Sequence, residues 1–112
     1  MKTIKNQTKL EKEILEWLIN KAPELGEQIK QCTVSERRYS GAGFFFDLSV
    51  PKNIKPLEIK GTIQGPEIKS KELSHGAGSI LFLKDGYIDM LEVFTYADSF
   101  PEKLENFELK SD

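Results

Sequence analysis

Cysteine and histidine are scarce: Cys32 and His75 are the sole representatives in 112 residues. A lone cysteine cannot close a disulfide within the chain, and one thiol with one imidazole is too few for a structural zinc site. The composition therefore points to a reducing, cytoplasmic setting. Long apolar runs are missing as well. None approaches the ~18 residues of a membrane span, and MKTIKNQTKLEKE at the start lacks the apolar core of a signal peptide, so neither membrane insertion nor signal-directed export is expected. Nor is there an excess of positive charge, since 16 Lys and Arg face 18 Asp and Glu. The balance shifts along the chain, from 13 basic and 10 acidic residues through position 82 to 3 and 8 after it. An acidic final third argues against nucleic acid as a partner, because phosphate neutralisation needs a basic face. It suits a solvated surface or the docking of a basic protein. No phosphate-cradling G-x-x-x-x-G-K loop, dinucleotide fingerprint or paired metal-ligand spacing occurs, so no cofactor or metal is expected.

What is present is organised around SILFLKDGYIDMLEVFTY, residues 79–96. Asp-Gly between two β-rich runs is a strong hairpin signal, because a two-residue type I′ turn needs positive φ at both central positions. With Lys84 and Tyr87 flanking the turn, a regular ladder sets Leu83 opposite Ile88, Leu81 opposite Met90 and Ile80 opposite Leu91. Both faces of the hairpin are then largely apolar, as suits strands in the middle of a sheet. The same register puts Asp89 opposite Phe82 and Glu92 opposite Ser79, where a carboxylate needs a partner or a groove. Arg37 or Arg38 is the natural partner for Glu92.

The remaining chain supplies cover. Thr8-x-x-Glu11 has the form of a capping box, and Leu10, Ile14, Trp17, Leu18 and Ala22 follow on one helical stripe that Pro23 should end. Leu25 and Ile29 allow a second helical piece from Glu24 to Gln31. Then the period becomes two: a polar strand over 33–40, a Gly41-Ala42-Gly43 turn, Phe44 to Val50, and an alternating run over 57–63 that Gly65-Pro66 interrupts. Glu67 to Leu73 resumes it. In the tail, Phe100, Leu104, Phe107 and Leu109 are the anchors, Pro101-Glu102 can open a helical turn, and 107–110 can add an edge strand. Gly-Ala-Gly precedes an apolar strand twice, at 41–43 and 76–78, as one local way of bending a strand into the core. The expectation is a single α+β domain, an N-terminal helix packed on a four- to six-stranded antiparallel sheet.

Candidate functional residues are few. His75 sits in an HGAG stretch that is only superficially like esterase oxyanion loops, since G-x-S-x-G is absent. Nothing in the sequence places Cys32 beside it, and a free cysteine here reads as a small buried apolar residue. Arg37 and Tyr39 share one face of their strand and offer a cation and a phenol to an anion, or else serve to discourage edge pairing. A ligand-binding or enzymatic reading would gather Arg37, Tyr39, His75 and Glu92 around one pocket. A binding reading would use Asp85, Asp89, Glu92 and Asp98 against a basic protein, or pair two copies of the chain through the second apolar face of the sheet.

The combination of GAGFFFDLSVP at 41–51, HGAGSILFLKDGYIDMLEVFTY at 75–96 and Phe100-Pro101 resembles a group of small bacterial conserved hypothetical proteins. That resemblance implies the fold and a bacterial origin, and it brings no catalytic residue with it. By size and charge alone the chain is also similar to immunity proteins, the inhibitors of toxins, which makes an immunity-like inhibitor of a basic toxin one form of the binding reading.

Overall fold

Asp85 and Gly86 adopt φ values of 54° and 85° in a computed structural model that describes residues 9–96, 100–101, 104 and 106–110, so the turn forms as its residue types dictate. The chain runs α1 (Lys9–Lys21), a 3-10 turn (Pro23–Leu25), α2 (Gly26–Gln31), β1 (Thr33–Tyr39), β2 (Gly43–Ser49), β3 (Thr62–Gln64), β4 (Glu67–Ser70), β5 (Leu73–Lys84), β6 (Tyr87–Thr95) and β7 (Glu108–Lys110). The class is α+β, and the seven strands form one antiparallel sheet, one strand more than the upper expectation. Their order is β1-β2-β6-β5-β4-β7, with β3 also paired to β5. The predicted hairpin, β5 with β6, lies in the middle. β3 and β4 run along the same side of β5, split at Gly65-Pro66 where a proline cannot donate to a ladder.

Beyond the turn the hairpin departs from a regular ladder. Lys84 faces Tyr87 and Leu83 faces Ile88, but Phe82 then pairs with Met90, Leu81 with Leu91, Ile80 with Glu92 and Ser79 with Val93. Asp89 is the extra residue of a β-bulge. Its carboxylate turns out to solvent, and the one-residue shift allows Ile88, Leu91 and Val93 all to be buried on one face. The expected pairs Asp89–Phe82 and Glu92–Ser79 are thereby corrected: a regular register would have driven a carboxylate into the packed side.

That packed side holds Phe44, Phe46, Leu81, Leu91, Val93 and Ile68 against Leu10, Ile14, Leu15 and Leu18 of α1 and Leu25 and Ile29 from the following turn and helix. The buried stripe of α1 is rotated relative to the sequence reading, burying Glu11 and Leu15 while Trp17 is only partly covered and lies under Lys21 Nζ at 5.3 Å. The burial of Glu11 is compensated, because its carboxylate accepts a forked pair of hydrogen bonds from Arg37 of β1, Nε at 2.9 Å and Nη2 at 2.8 Å. At the other end Lys21 Nζ donates to the Gln64 carbonyl of β3 at 3.0 Å. The helix thus crosses the sheet obliquely from β1 to β3. Thr8, the other half of the expected capping box, lies outside the described residues.

Residues 57–61 are not the expected strand. The Leu57 amide donates to Gly86 O at 2.7 Å, and Gly61, at φ 82°, accepts from the Leu83 amide at 2.9 Å. The segment is strapped along the hairpin end, so ladder pairing starts only at Thr62. In the tail, Leu104 is buried, Phe100, Phe107 and Leu109 pack against the core, and β7 extends the sheet beside β4. Glu102, half of the expected helical turn, lies outside the described residues.

The two Gly-Ala-Gly stretches flank the same end of β6. Gly43 and Gly78 each pair with Phe94, one from either side. Thr95 donates its amide to Ala42 O at 2.8 Å and Tyr96 to Gly76 O at 3.3 Å. A Cβ at Gly78 would lie 2.8 Å from the Phe94 ring, so glycine there is a seat for an aromatic side chain.

Candidate functional site

Both helices, with Ile54, Phe100 and Leu104, join the core on one side of the sheet, whereas Phe45, Ile80, Phe82, Met90 and Phe94, which alternate with the core residues, stay partly exposed on the other. On that open side, cross-strand pairing lays out a lattice of side chains. Glu92 is its centre. Ile80 of β5 and Phe45 of β2 lie directly opposite it on the two neighbouring strands, and Met90 and Phe94 precede and follow it two residues away on its own strand. Phe82 and Asp47 sit at the corners beside Met90. All of these side chains are half-buried, neither sunk in the core nor free in solvent.

The charges around this lattice are unevenly satisfied. Arg38 of β1 lies over the Phe45 ring at 4.1 Å, donates from Nη2 to Asp47 Oδ1 at 3.0 Å and touches Met90 Sδ at 3.7 Å. It is therefore committed to Asp47. Glu92 has no hydrogen-bond or ion partner among the described residues. Its expected arginines are both occupied, Arg38 here and Arg37 through the sheet on the helix side with Glu11. At the upper edge the Tyr96 ring meets Phe94 edge-on at 5.7 Å, and the Tyr96 hydroxyl donates to Glu67. Below them lies a cleft of about 210 Å³ floored by Gly78 and walled by Thr62, Gln64 and Ile80.

The residues of the alternative pocket reading are dispersed. Arg37 and Tyr39 face the helix side, where hydrogen bonding to Glu11 raises the Arg37 guanidinium further above its already high range and Tyr39, 61% exposed, tilts over Phe44 at 5.7 Å. Glu92 is on the opposite face. His75 is exposed on β5, its Nδ1 3.1 Å from Ser74 Oγ. Asp85 and Asp89 border a hollow of about 340 Å³ at the hairpin end together with Lys52, Lys84 and Tyr87, apart from Glu92. Asp98 lies outside the described residues.

Cys32 is buried at the end of α2, its thiol donating to Ile29 O at 3.2 Å. Burial pushes that thiol up to about 11 from an ordinary 9.0. The thiolate fraction at neutral pH falls about 100-fold, so iodoacetamide should label native Cys32 at pH 8 about 100-fold more slowly than the urea-unfolded chain. Comparable rates would place the thiol at the surface. Because the folded value is the higher one, stability from the neutral thiol is complete below 9 and is lost as pH rises through about 11.

The open-face lattice was only half legible. Alternation shows that the hairpin has two apolar faces, and Phe45, Ile80, Phe82 and Met90 are the off-face members of the alternating pairs, which the ladder brings together as one surface. No group of three or more His, Cys, Asp or Glu among the described residues is placed to hold a metal ion. No described helix is long and apolar enough to cross a membrane. The fold and site thus define an α+β domain with a one-side-covered sheet. Compared with family models, curated proteins and solved structures, the chain gives no significant match.

Proposed function

We propose that this protein is a noncatalytic binding domain that docks another protein on the open face of its sheet. The observation that carries the reading is the uncovered lattice of Phe45, Ile80, Phe82, Met90 and Phe94 around an unpartnered carboxylate. Sheets covered on one side more often present polar residues on the other, and apolar side chains gathered on a rigid surface are the usual core of a protein interface. An immunity-like inhibitor of a basic toxin is the finer form of this proposal, supported by Glu92 within the face and by the acidic final third of the chain.

The test combines light scattering at low and moderate salt with capture of partners from source-cell lysate, using wild type, Phe82→Ser and, as a control on a residue exposed on the helix, Lys12→Ser. Phe82 is half-buried on the open face, so the substitution changes that surface and leaves the buried core intact. A defined partner should be retained by wild type and Lys12→Ser and depleted about tenfold or more by Phe82→Ser. Capture that ignores Phe82→Ser would refute docking through this face. A stable dimer in scattering that Phe82→Ser dissociates would make the face a self-association surface instead.

A further inference from the structure

Resting on the docking reading above, we infer that Glu92 is the anchor for an arginine or lysine side chain that a partner polypeptide presents between apolar residues.

The lattice makes Glu92 an unusual position. Glu92 is a partly exposed carboxylate set among apolar side chains, with no partner among the described residues, so a cation brought by another polypeptide can reach it. Neither arginine of the chain can serve. Arg38 is bound to Asp47 and stacked on Phe45, and Arg37 is on the other face, bound to Glu11. The surroundings fit a long cationic side chain in particular. Ile80, Met90 and Phe45 flank the carboxylate, so methylenes can lie on apolar groups while the charged end meets Glu92. Phe45 already carries Arg38 over its ring, which leaves Phe94, next on the strand, as the aromatic neighbour that a planar guanidinium favours more than an ammonium does and so ranks arginine above lysine.

The same arrangement disfavours two other occupants. A second copy packed face to face about a two-fold axis near the lattice centre would bring Glu92 close to its own image, and its nearest arginine on this face would have to leave Asp47. Single-stranded nucleic acid finds rings to stack on, but Glu92 repels phosphate and Arg38, the arginine on this face, is already bound to Asp47. A basic peptide segment meets neither obstacle.

A displayed library of random peptides selected on the full-length protein at low salt provides the probe. Selected peptides should share an arginine or lysine between apolar residues, and exchanging that cation for glutamine should weaken binding about tenfold or more. Glu92→Gln, which keeps the size of a half-exposed side chain and so the fold, should cost as much. The two changes together should cost little beyond either alone, because each removes the same contact. Peptides that bind Glu92→Gln as tightly as wild type but lose affinity for Phe82→Ser would overturn the anchor and leave the docking face standing. Binding indifferent to both substitutions would overturn both. A selection without a shared cation, or with no binder at all, also counts against the anchor, as does a wild-type dimer that Glu92→Gln tightens.

Discussion

Gln28→Met is expected to destabilise the protein by about 1 to 3 kcal/mol, the cost of the one buried backbone group it strands, the Ile88 amide. Gln28 is 1% exposed, and its side-chain amide bridges α2 to the central hairpin. Nε2 donates to the Gly86 carbonyl at 2.9 Å, and Oε1 accepts from the Ile88 amide at 2.9 Å, beside the Asp89 bulge. Methionine matches the length of glutamine but offers neither donor nor strong acceptor, so packing is preserved while the Ile88 amide loses its acceptor; Gly86 O keeps the Leu57 amide at 2.7 Å. Urea denaturation should show a lower midpoint at unchanged slope, and the Ile88 amide should exchange faster than its neighbours. A loss below about 1 kcal/mol would mean that water replaces the side chain and that the bulge is held by the ladder alone.

Arg37→Ala should cost about 3 to 5 kcal/mol, because it strips the guanidinium fork from a carboxylate that is 1% exposed. The double variant Glu11→Leu, Arg37→Met should recover most of that loss, since two apolar side chains of similar length can fill the space without desolvating charge. Chemical denaturation of wild type, single and double variants distinguishes the cases. If the double variant is no more stable than Arg37→Ala, the pair does more than neutralise itself, and the orientation of α1 across the sheet depends on it. Neither change touches the open face, so peptide binding there should survive in any variant that folds.

The legible and illegible parts of this molecule divide by the range of the forces involved. Asp85-Gly86 determined the hairpin because positive φ is a property of those residues and their neighbours. Alternation over 44–50 and 80–83 determined which residues are apolar on each face. Pro23 and Pro66 set interruptions through the missing amide proton, and a single cysteine leaves no second thiol among these 112 residues for an internal disulfide. Each of these rests on local geometry or on counting.

Other features required the folded chain. Glu11 reads as half of a capping box within α1, and only the position of β1 beneath it brings Arg37 within reach. The 57–61 run alternates like a strand, yet its amides and carbonyls go to the hairpin end, a choice made by where Gly86 and Leu83 already are. The bulge at Asp89 was decided by competition over the whole sheet: skipping one residue buries Ile88, Leu91 and Val93 together and leaves the charge outside. That shift also moved Glu92 from opposite Ser79 to opposite Ile80 and made it the centre of the open face. The sequence by itself determined that a hairpin with two apolar sides would form and that the chain would cover one of them. Which side, in what register, and with which carboxylate left in the middle of the other, tertiary structure alone decided, because side-chain burial is a sum over contacts between segments far apart in the chain.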